Sequence, residues 1–177
     1  MAPSHEGPHK KEHGGAPHRS EGRAFNTPQN AINSVATGRA CIASLIPGKI
    51  WSHRAPRGEF EIKGSLTLGD AIVVVLRFSP EDGSVLPKGL HGLSAARSEI
   101  ISPVESRLKQ LPKELVVLDG AEFREPESCW AVPVAHKGRI VGHIKISSDG
   151  STVLPDKKAT EELAGDGGLP AHDDKRT

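Results

Sequence analysis

Apolar residues recur at helical spacing in one stretch near the start of the chain. Thr27 precedes Pro28, and threonine is a favourable N-cap while proline fits the first helical turn. Pro47 and Gly48 end the periodic stretch. The spacing therefore predicts a helix over about residues 28–45. Its predicted apolar face consists of Ile32, Val35, Ile42, Leu45 and Ile46.

Two later regions carry the patterns of strands joined by tight turns. GEFEIKGSL alternates between apolar and polar residues, and DAIVVVLRF is apolar almost throughout, as in a strand covered on both faces. Gly69-Asp70 between them suits a two-residue hairpin turn. CWAVPVA and RIVGHIKIS, joined by Lys137-Gly138, predict a second hairpin. ELVVL predicts a short strand before it.

Two further segments have helical signals. Residues 94–111 contain a capping box that begins at Ser102-Pro103, and Pro112 follows the last apolar position. We expect two consecutive helices there, or one kinked helix. Asp156 is expected to cap a short last helix, KKATEELA.

Together these elements predict an α+β fold. We expect an antiparallel sheet of about five strands, formed by the two hairpins and one short strand. The N-terminal helix and the central kinked helical segment are expected on one face. One globular domain is predicted over residues 27–164, between tails at 1–26 and 165–177 whose composition favours disorder.

The two hairpin regions resemble each other. DGSVLP at 82–87 parallels DGSTVLP at 149–155, and each follows a strand, a glycine turn and a second strand. Asp-Gly turns are common in hairpin proteins. The similarity is therefore compatible with an internal repeat or with two coincident hairpins.

Composition and charge narrow the class of protein. The chain has 177 residues and a formal net charge of +1, which argues against a nucleic-acid-binding domain. Its two cysteines, Cys41 and Cys129, lack metal or redox spacing, so we expect reduced thiols. No apolar run has the length of a membrane span, and the polar N-terminus does not resemble a secretory signal. These features favour a cytoplasmic protein that does not enter a membrane.

A histidine-rich stretch near the N-terminus is the clearest candidate for metal binding: its members are His5, His9, His13 and His18. Imidazole binds Ni²⁺ and Zn²⁺ well. The surrounding proline and glycine residues prevent a helix, so any Ni or Zn would be held by a loose, exchangeable chelate. The alternative is a solvated tail in which histidine is only a polar residue.

The second hairpin offers a candidate partner-binding face. If Lys137-Gly138 is a simple two-residue loop, paired residue numbers sum to 275 and alternate side chains share a face. That pairing predicts that one mixed aromatic and cationic face contains Trp130, His136, Arg139, His143 and Lys145. The alternative is that these side chains pack under a helix or lie at its margin.

A loop before the central helical segment offers a candidate anion site formed by His91 and Lys88. A catalytic pair is not predicted, because the same pairing places Cys129 and His143 on opposite faces of the hairpin. None of the usual nucleophile, phosphate-loop or zinc-protease motifs is present in the sequence.

These observations leave three hypotheses for function. The first is a non-catalytic module that binds a protein partner or self-associates, with an accessory metal-binding tail. The second is a metallochaperone-like protein that binds or delivers Ni or Zn. The third is a small enzyme with a site that uses His91, His136 or His143 between sheet and helix.

Overall fold

The computed structural model describes residues 26–54, 60–90 and 101–165. The fold is α+β, as predicted, with an N-terminal helix and a central helix. Its helices are α1 (Pro28–Ile42), α2 (Ile101–Gln110) and α3 (Lys157–Gly165). Its strands are β1 (Ile46–Arg54), β2 (Phe60–Leu68), β3 (Ala71–Phe78), β4 (Val85–Leu86), β5 (Val116–Val117), β6 (Glu122–Arg124), β7 (Cys129–His136), β8 (Arg139–Ser147) and β9 (Val153–Leu154).

The helix boundaries follow local capping chemistry. The hydroxyl of Thr27 accepts a hydrogen bond from the Asn30 N–H at 3.2 Å, which confirms the predicted cap of α1. Asp156 caps α3 through a bond from the Ala159 N–H at 3.2 Å. Helix α2 contains Ser102 and Pro103, so the described chain is already helical at the predicted cap. Of the predicted tails at 1–26 and 165–177, residues 1–25 and 166–177 lie outside the described residues, and so do residues 94–100 of the predicted central helical segment.

The strands form two antiparallel sheets rather than one sheet of about five strands. In the first sheet the order is β1-β2-β3-β4. In the second sheet the order is β5-β7-β8-β9, and β6 also pairs with β7. Strand β1 was missed from the sequence because Pro47-Gly48 was interpreted only as a helix stop. The structure instead has a register shift between Pro47 and Ile50, where a proline is tolerated at the edge of the sheet.

The two hairpins have the same register. Arg77 pairs with Leu86 in the first sheet, and Lys145 pairs with Leu154 in the second, so equivalent residue numbers differ by 68. Both hairpins shift register at equivalent places, after Leu66 in β2 and after Val134 in β7. The predicted resemblance between the two regions therefore extends to their pairing.

Each helix packs on the sheet that belongs to the other half of the chain. Helix α1 contacts the second sheet, where a Cβ at Gly38 would lie 3.2 Å from Val132. Helix α2 contacts the first sheet, where Leu108 lies against Gly64. Gly64 and Val132 are equivalent by the 68-residue difference (64 and 132). In the α1 interface the small residue, Gly38, is on the helix and the larger Val132 is on the strand. In the α2 interface the small residue, Gly64, is on the strand and the larger Leu108 is on the helix.

Two backbone hydrogen bonds join the halves in the same reciprocal way. The Lys88 N–H donates to the Ile140 carbonyl at 2.8 Å, and the Asp156 N–H donates to the Ile72 carbonyl at 2.7 Å. Donors and acceptors both differ by 68 residues (88 and 156, 72 and 140). The segment after each short strand thus crosses to the central strand of the opposite sheet. Residues of both halves form one main hydrophobic core.

Helix α3 covers a separate apolar cluster beside the first sheet. Ala159 of this helix packs with the buried Trp51 and Ile72. The Lys63 ammonium donates to Glu162 at 2.8 Å, which ties α3 to β2. None of the helices in the described ranges has the combination of length and apolar character that a membrane span requires.

Candidate functional site

Several sequence-predicted site residues lie outside the part of the chain that the structure describes. These residues are His5, His9, His13, His18 and His91. Their metal-binding and anion-binding roles therefore stay predictions. Among the described residues, no group of three or more His, Cys, Asp or Glu side chains is arranged to hold a metal ion.

The predicted common face of the second hairpin is wrong because the hairpin contains a bulge. His136 pairs with Arg139, which sums to 275 as predicted, but Val134 pairs with Gly142 and the register beyond is shifted by one residue. Trp130 consequently pairs with Ile146, and both side chains lie in the main core. A one-residue shift moves side chains to the opposite face.

Trp130 is buried and is not part of an exposed binding face. Only 3% of its surface is accessible, its ring packs edge-on against Phe123, and its indole N–H donates to the Ser148 carbonyl at 2.9 Å. Trp130 is therefore a residue of the main core.

The bulge also corrects the placement of Cys129 and His143. Cys129 pairs with Ser147 and Pro133 pairs with His143, so Cys129 and His143 share a face rather than lying on opposite ones. They are separated by four positions along the strand. Burial raises the pKa of the Cys129 thiol, which is the opposite of what a reactive thiolate requires.

The structure brings together two residues that were assigned to different candidate sites, Lys88 and His143. The Lys88 ammonium contacts Nδ1 of His143. Burial, together with the charges of Lys88 and Arg124, lowers the pKa of His143 to about 4. His143 is therefore neutral at pH 7, and its Nδ1 accepts a hydrogen bond from Lys88. It contributes no positive charge to a binding surface.

Lys145 is also engaged within the protein. Its ammonium lies 2.5 Å from the carboxylate of Glu127, which is also 3.5 Å from Arg124. The hydrogen bond from Lys145 lowers the pKa of Glu127, and it raises the pKa of Lys145 against the effect of burial. The surface around Lys145 is thus locally neutralised.

A cleft of about 580 Å³ lies at the tip of the second hairpin. Its walls are the turn and strand at 82–87, the residues Pro103 and Arg107 of α2, and the hairpin tip at 136–141. Two of the predicted partner-binding residues, His136 and Arg139, therefore line one cavity. Both halves of the chain therefore form the cleft. Residues 82–87 belong to the first half, and the other lining residues belong to the second.

Two lining residues of the cleft, Arg107 and His136, form an ionic cluster with Glu114, which lies outside the lining. Arg107 donates to both carboxylate oxygens of Glu114, at 2.9 Å and 2.7 Å. Nε2 of His136 lies 2.8 Å from Arg107 and 2.9 Å from Glu114. The hydrogen bonds from Arg107 and His136 lower the pKa of Glu114 to about 2. The carboxylate is therefore ionised throughout the physiological pH range.

No model of a protein family matches this chain, and neither a curated protein nor a solved structure shows significant similarity to it. The site must therefore be interpreted from its own geometry.

Two cations at the outer rim of the cleft have no acidic partner among the described residues. Lys137 and Arg139 are both exposed, and within the described ranges neither makes an ion pair or a side-chain hydrogen bond. Asp82, an acidic residue of the lining, accepts a hydrogen bond from the Ser84 N–H at 3.0 Å within its own turn. That bond lowers the pKa of Asp82.

The first hairpin provides an internal comparison for these rim charges. The positions equivalent to His136, Lys137 and Arg139 are Leu68, Gly69 and Ala71 (each differs by 68). The same backbone pairing therefore forms with no cation at its tip. Folding of the hairpin does not require the charges of the second tip.

Sequence reasoning missed Arg107 and Glu114. Arg107 lies on the polar side of a predicted helix, and Glu114 follows Pro112 in a short connecting turn. Nothing in the sequence pairs either of them with His136. An N-cap and a strand pattern are local signals, whereas this cluster depends on the packing of α2 beside the second hairpin.

A second, more apolar groove of about 320 Å³ lies beside α1. Ala31, Ile32, Val35 and Ala121 contribute to its lining, with the Arg39–Asp119 ion pair at its border. Ile32 was predicted to face the core, but 62% of its surface is exposed. The buried side of α1 is formed by Ser34, Val35, Gly38 and Cys41.

Proposed function

We propose that this protein is a non-catalytic binding module and that its cleft binds an acidic segment of a partner protein. The observation that carries the proposal is the pair of exposed rim cations, Lys137 and Arg139, which have no acidic partner in the described structure. Complementary charge at a cleft favours association with an oppositely charged ligand and helps to select it.

The carboxylates of Asp82 and Glu114 are bound to groups other than the rim cations. The carboxylate of Asp82 is used by its own turn, and that of Glu114 is used by Arg107 and His136. Unpaired positive charge therefore remains at the rim, where it is accessible. The cleft also contains the apolar side chains of Val85 and Val141, against which the aliphatic part of a peptide can pack.

The internal comparison gives independent support. The first hairpin has Leu68, Gly69 and Ala71 at the equivalent positions and forms the same bulged ladder. Since charge at this tip is not needed for the fold, its presence on the second hairpin is better explained by a ligand. A peptide rather than a small anion is favoured because Lys137 and Arg139 lie on the rim of an open cleft, where an extended chain contacts both.

A fluorescence anisotropy titration with a labelled oligoglutamate peptide tests this proposal. We expect saturable binding that weakens as salt is added, because rim charges are screened. The double variant Lys137→Ala/Arg139→Ala should weaken binding about tenfold, as expected for the loss of two exposed ionic contacts.

A matched control is the double variant Lys157→Ala/Lys158→Ala. Both lysines are exposed on α3, which does not line the cleft, and the control removes the same net charge. If both double variants weaken binding equally, the attraction is a property of overall charge. The cleft would then not be the binding site.

A further inference from the structure

The cleft contains an arginine, Arg107, that uses most of its terminal donors within the protein. The Nη1 group of Arg107 donates to Glu114 at 2.9 Å and to Gln110 at 3.3 Å. Its Nη2 group donates to the other oxygen of Glu114 at 2.7 Å and lies 2.8 Å from Nε2 of His136. Nε2 of His136 donates to Glu114 and therefore does not accept from Nη2, so three of the four terminal N–H groups of Arg107 are used within the protein.

The geometry of this cluster is that of a site for a carboxylate. A planar guanidinium that binds both oxygens of one carboxylate is the usual arrangement for recognition of an acidic group. His136 completes the site, because its Nε2 lies 2.9 Å from the same oxygen of Glu114 that accepts from Nη2. Three atoms, one each from Arg107, Glu114 and His136, thus form a closed triangle.

Glu114 is positioned as an exchangeable occupant rather than as a buried anchor. Its side chain is 37% exposed, and it lies in the turn that follows the short helix Leu111–Lys113. Arg107 and His136 both line the cleft, and Glu114 does not. An acidic group that enters the cleft therefore reaches Arg107 and His136 from within the cleft.

We propose that Arg107 and His136 form a carboxylate-binding subsite, that Glu114 occupies it in the free protein, and that an acidic side chain of the ligand displaces Glu114. This inference rests on the function proposed above and names the part of the cleft that recognises an acidic group. Lys137 and Arg139 attract the ligand at the rim. The inner subsite then binds one of its carboxylates, and Glu114 sets the affinity by competing for it.

The same peptide titration, carried out on a Glu114→Gln variant, tests the inference. Glutamine keeps the size of the side chain but is a poorer partner for Arg107, so we expect binding about fivefold tighter than that of the wild type. The matched control is Glu105→Gln, which removes the same charge from an exposed residue of the same helix as Arg107. It should leave the affinity close to that of the wild type.

Arg107 provides the decisive second variant. In the wild type Arg107→Gln should weaken peptide binding, because it removes the group that binds the incoming carboxylate. In the Glu114→Gln background it should abolish the gain. Unfolding curves recorded for each variant show whether it is folded. The carbon-13 shift of the Glu114 carboxylate in the wild-type protein gives a readout that needs no variant, and it should move on addition of peptide.

The outcomes separate the two proposals. If wild-type binding depends on Lys137 and Arg139 but Glu114→Gln binds no more tightly than Glu105→Gln, the subsite inference is wrong and the proposed function stands. An unchanged Glu114 carboxylate shift at saturation also contradicts the inference. If the peptide binds independently of Lys137 and Arg139, the proposed function fails first.

Discussion

At the scale of single residues, burial and neighbouring charge decide which groups are charged. His143 and His136 lie on the same hairpin, but their environments differ. His143 is surrounded by the cations Lys88 and Arg124, whereas His136 is bound to the carboxylate of Glu114. The sequence pattern places both histidines on one face. It does not show that His143 is a neutral hydrogen-bond acceptor whereas His136 binds a carboxylate.

The protonation of His143 provides a direct check. Its pKa is lowered from 6.5 to about 4, first by burial and then by Lys88 and Arg124. The unfolded chain therefore binds a proton that the folded protein excludes between these two pH values. Its contribution to the free energy of unfolding is fully present above pH 6.5 and is lost as the pH falls toward 4.

An NMR titration of the imidazole should show His143 neutral at pH 6. The variant Lys88→Ala should raise its pKa, because one repulsive charge is removed while burial remains. The control Lys157→Ala, far along the chain on α3, should leave the curve unchanged. A wild-type pKa near 6.5 would contradict the environment described for this residue.

Part of the candidate site was accessible from residue types alone. His136 and Arg139 were identified because cations and histidines stand out on strands. Trp130 was misplaced, because the pairing rule used for the hairpin does not include a bulge. Arg107 and Glu114 were not identified, because a charged helix residue and a charged turn residue are ordinary by themselves.

At the scale of elements, the bulge of the second hairpin is the feature that reorders its faces. It places Gly142 opposite Val134, and a Cβ at Gly142 would lie 3.0 Å from Val74 of the other hairpin. A methyl group at this position would therefore crowd the contact between β3 and β8. The sequence does contain Gly142, but a lone glycine within a strand also occurs without a bulge.

The turn at Gly150 provides a test of how α1 is seated. Gly150 has a φ of +81°, and a Cβ there would lie 2.6 Å from the Asn30 carbonyl of α1. Gly69 has a φ of +57° with nothing within 4 Å of its Cβ position. Gly69→Ala should therefore cost about 1 kcal/mol of conformational strain.

Gly150→Ala should cost about 2–4 kcal/mol, because displacement of α1 is added to a similar strain. Denaturant unfolding of both variants gives the comparison. Equal losses of stability would mean that α1 is not held against this turn.

The hydrogen bond from Thr37 to the Gly150 carbonyl, at 2.7 Å, also holds α1 against this turn. Thr37→Val should therefore lower the free energy of unfolding by about 1 kcal/mol, a smaller loss than that of Gly150→Ala.

At the scale of the whole molecule, the two halves are interlocked by reciprocal contacts. Helix α1 packs on the second sheet, α2 packs on the first, and paired hydrogen bonds from Lys88 and Asp156 cross between them. The fold class and the main hairpins follow from local periodicity. The exchange of helices between the two sheets does not follow from periodicity, because an amphipathic helix can cover either sheet. The sheet that each helix covers depends on how residue sizes match at Gly38 and Leu108.

This arrangement predicts the behaviour of the separated halves. Fragments 1–90 and 91–177 should each lack a cooperative unfolding transition, since each contains a helix whose partner sheet is on the other fragment. Mixed in equal amounts, they should recover the transition and the near-ultraviolet circular dichroism of the intact chain. Independent cooperative folding of either fragment would contradict the exchange of helices.

The central claim is that the cleft at the tip of the second hairpin binds an acidic peptide. The most direct measurement is an NMR titration of the isotope-labelled full chain with oligoglutamate, followed through its backbone amides. We predict that shifts concentrate at residues 82–86, 103–107 and 136–141, which form the walls of the cleft. Shifts confined to the groove beside α1, at residues 31–39 and 119–121, would contradict the account, as would no shifts at saturating peptide.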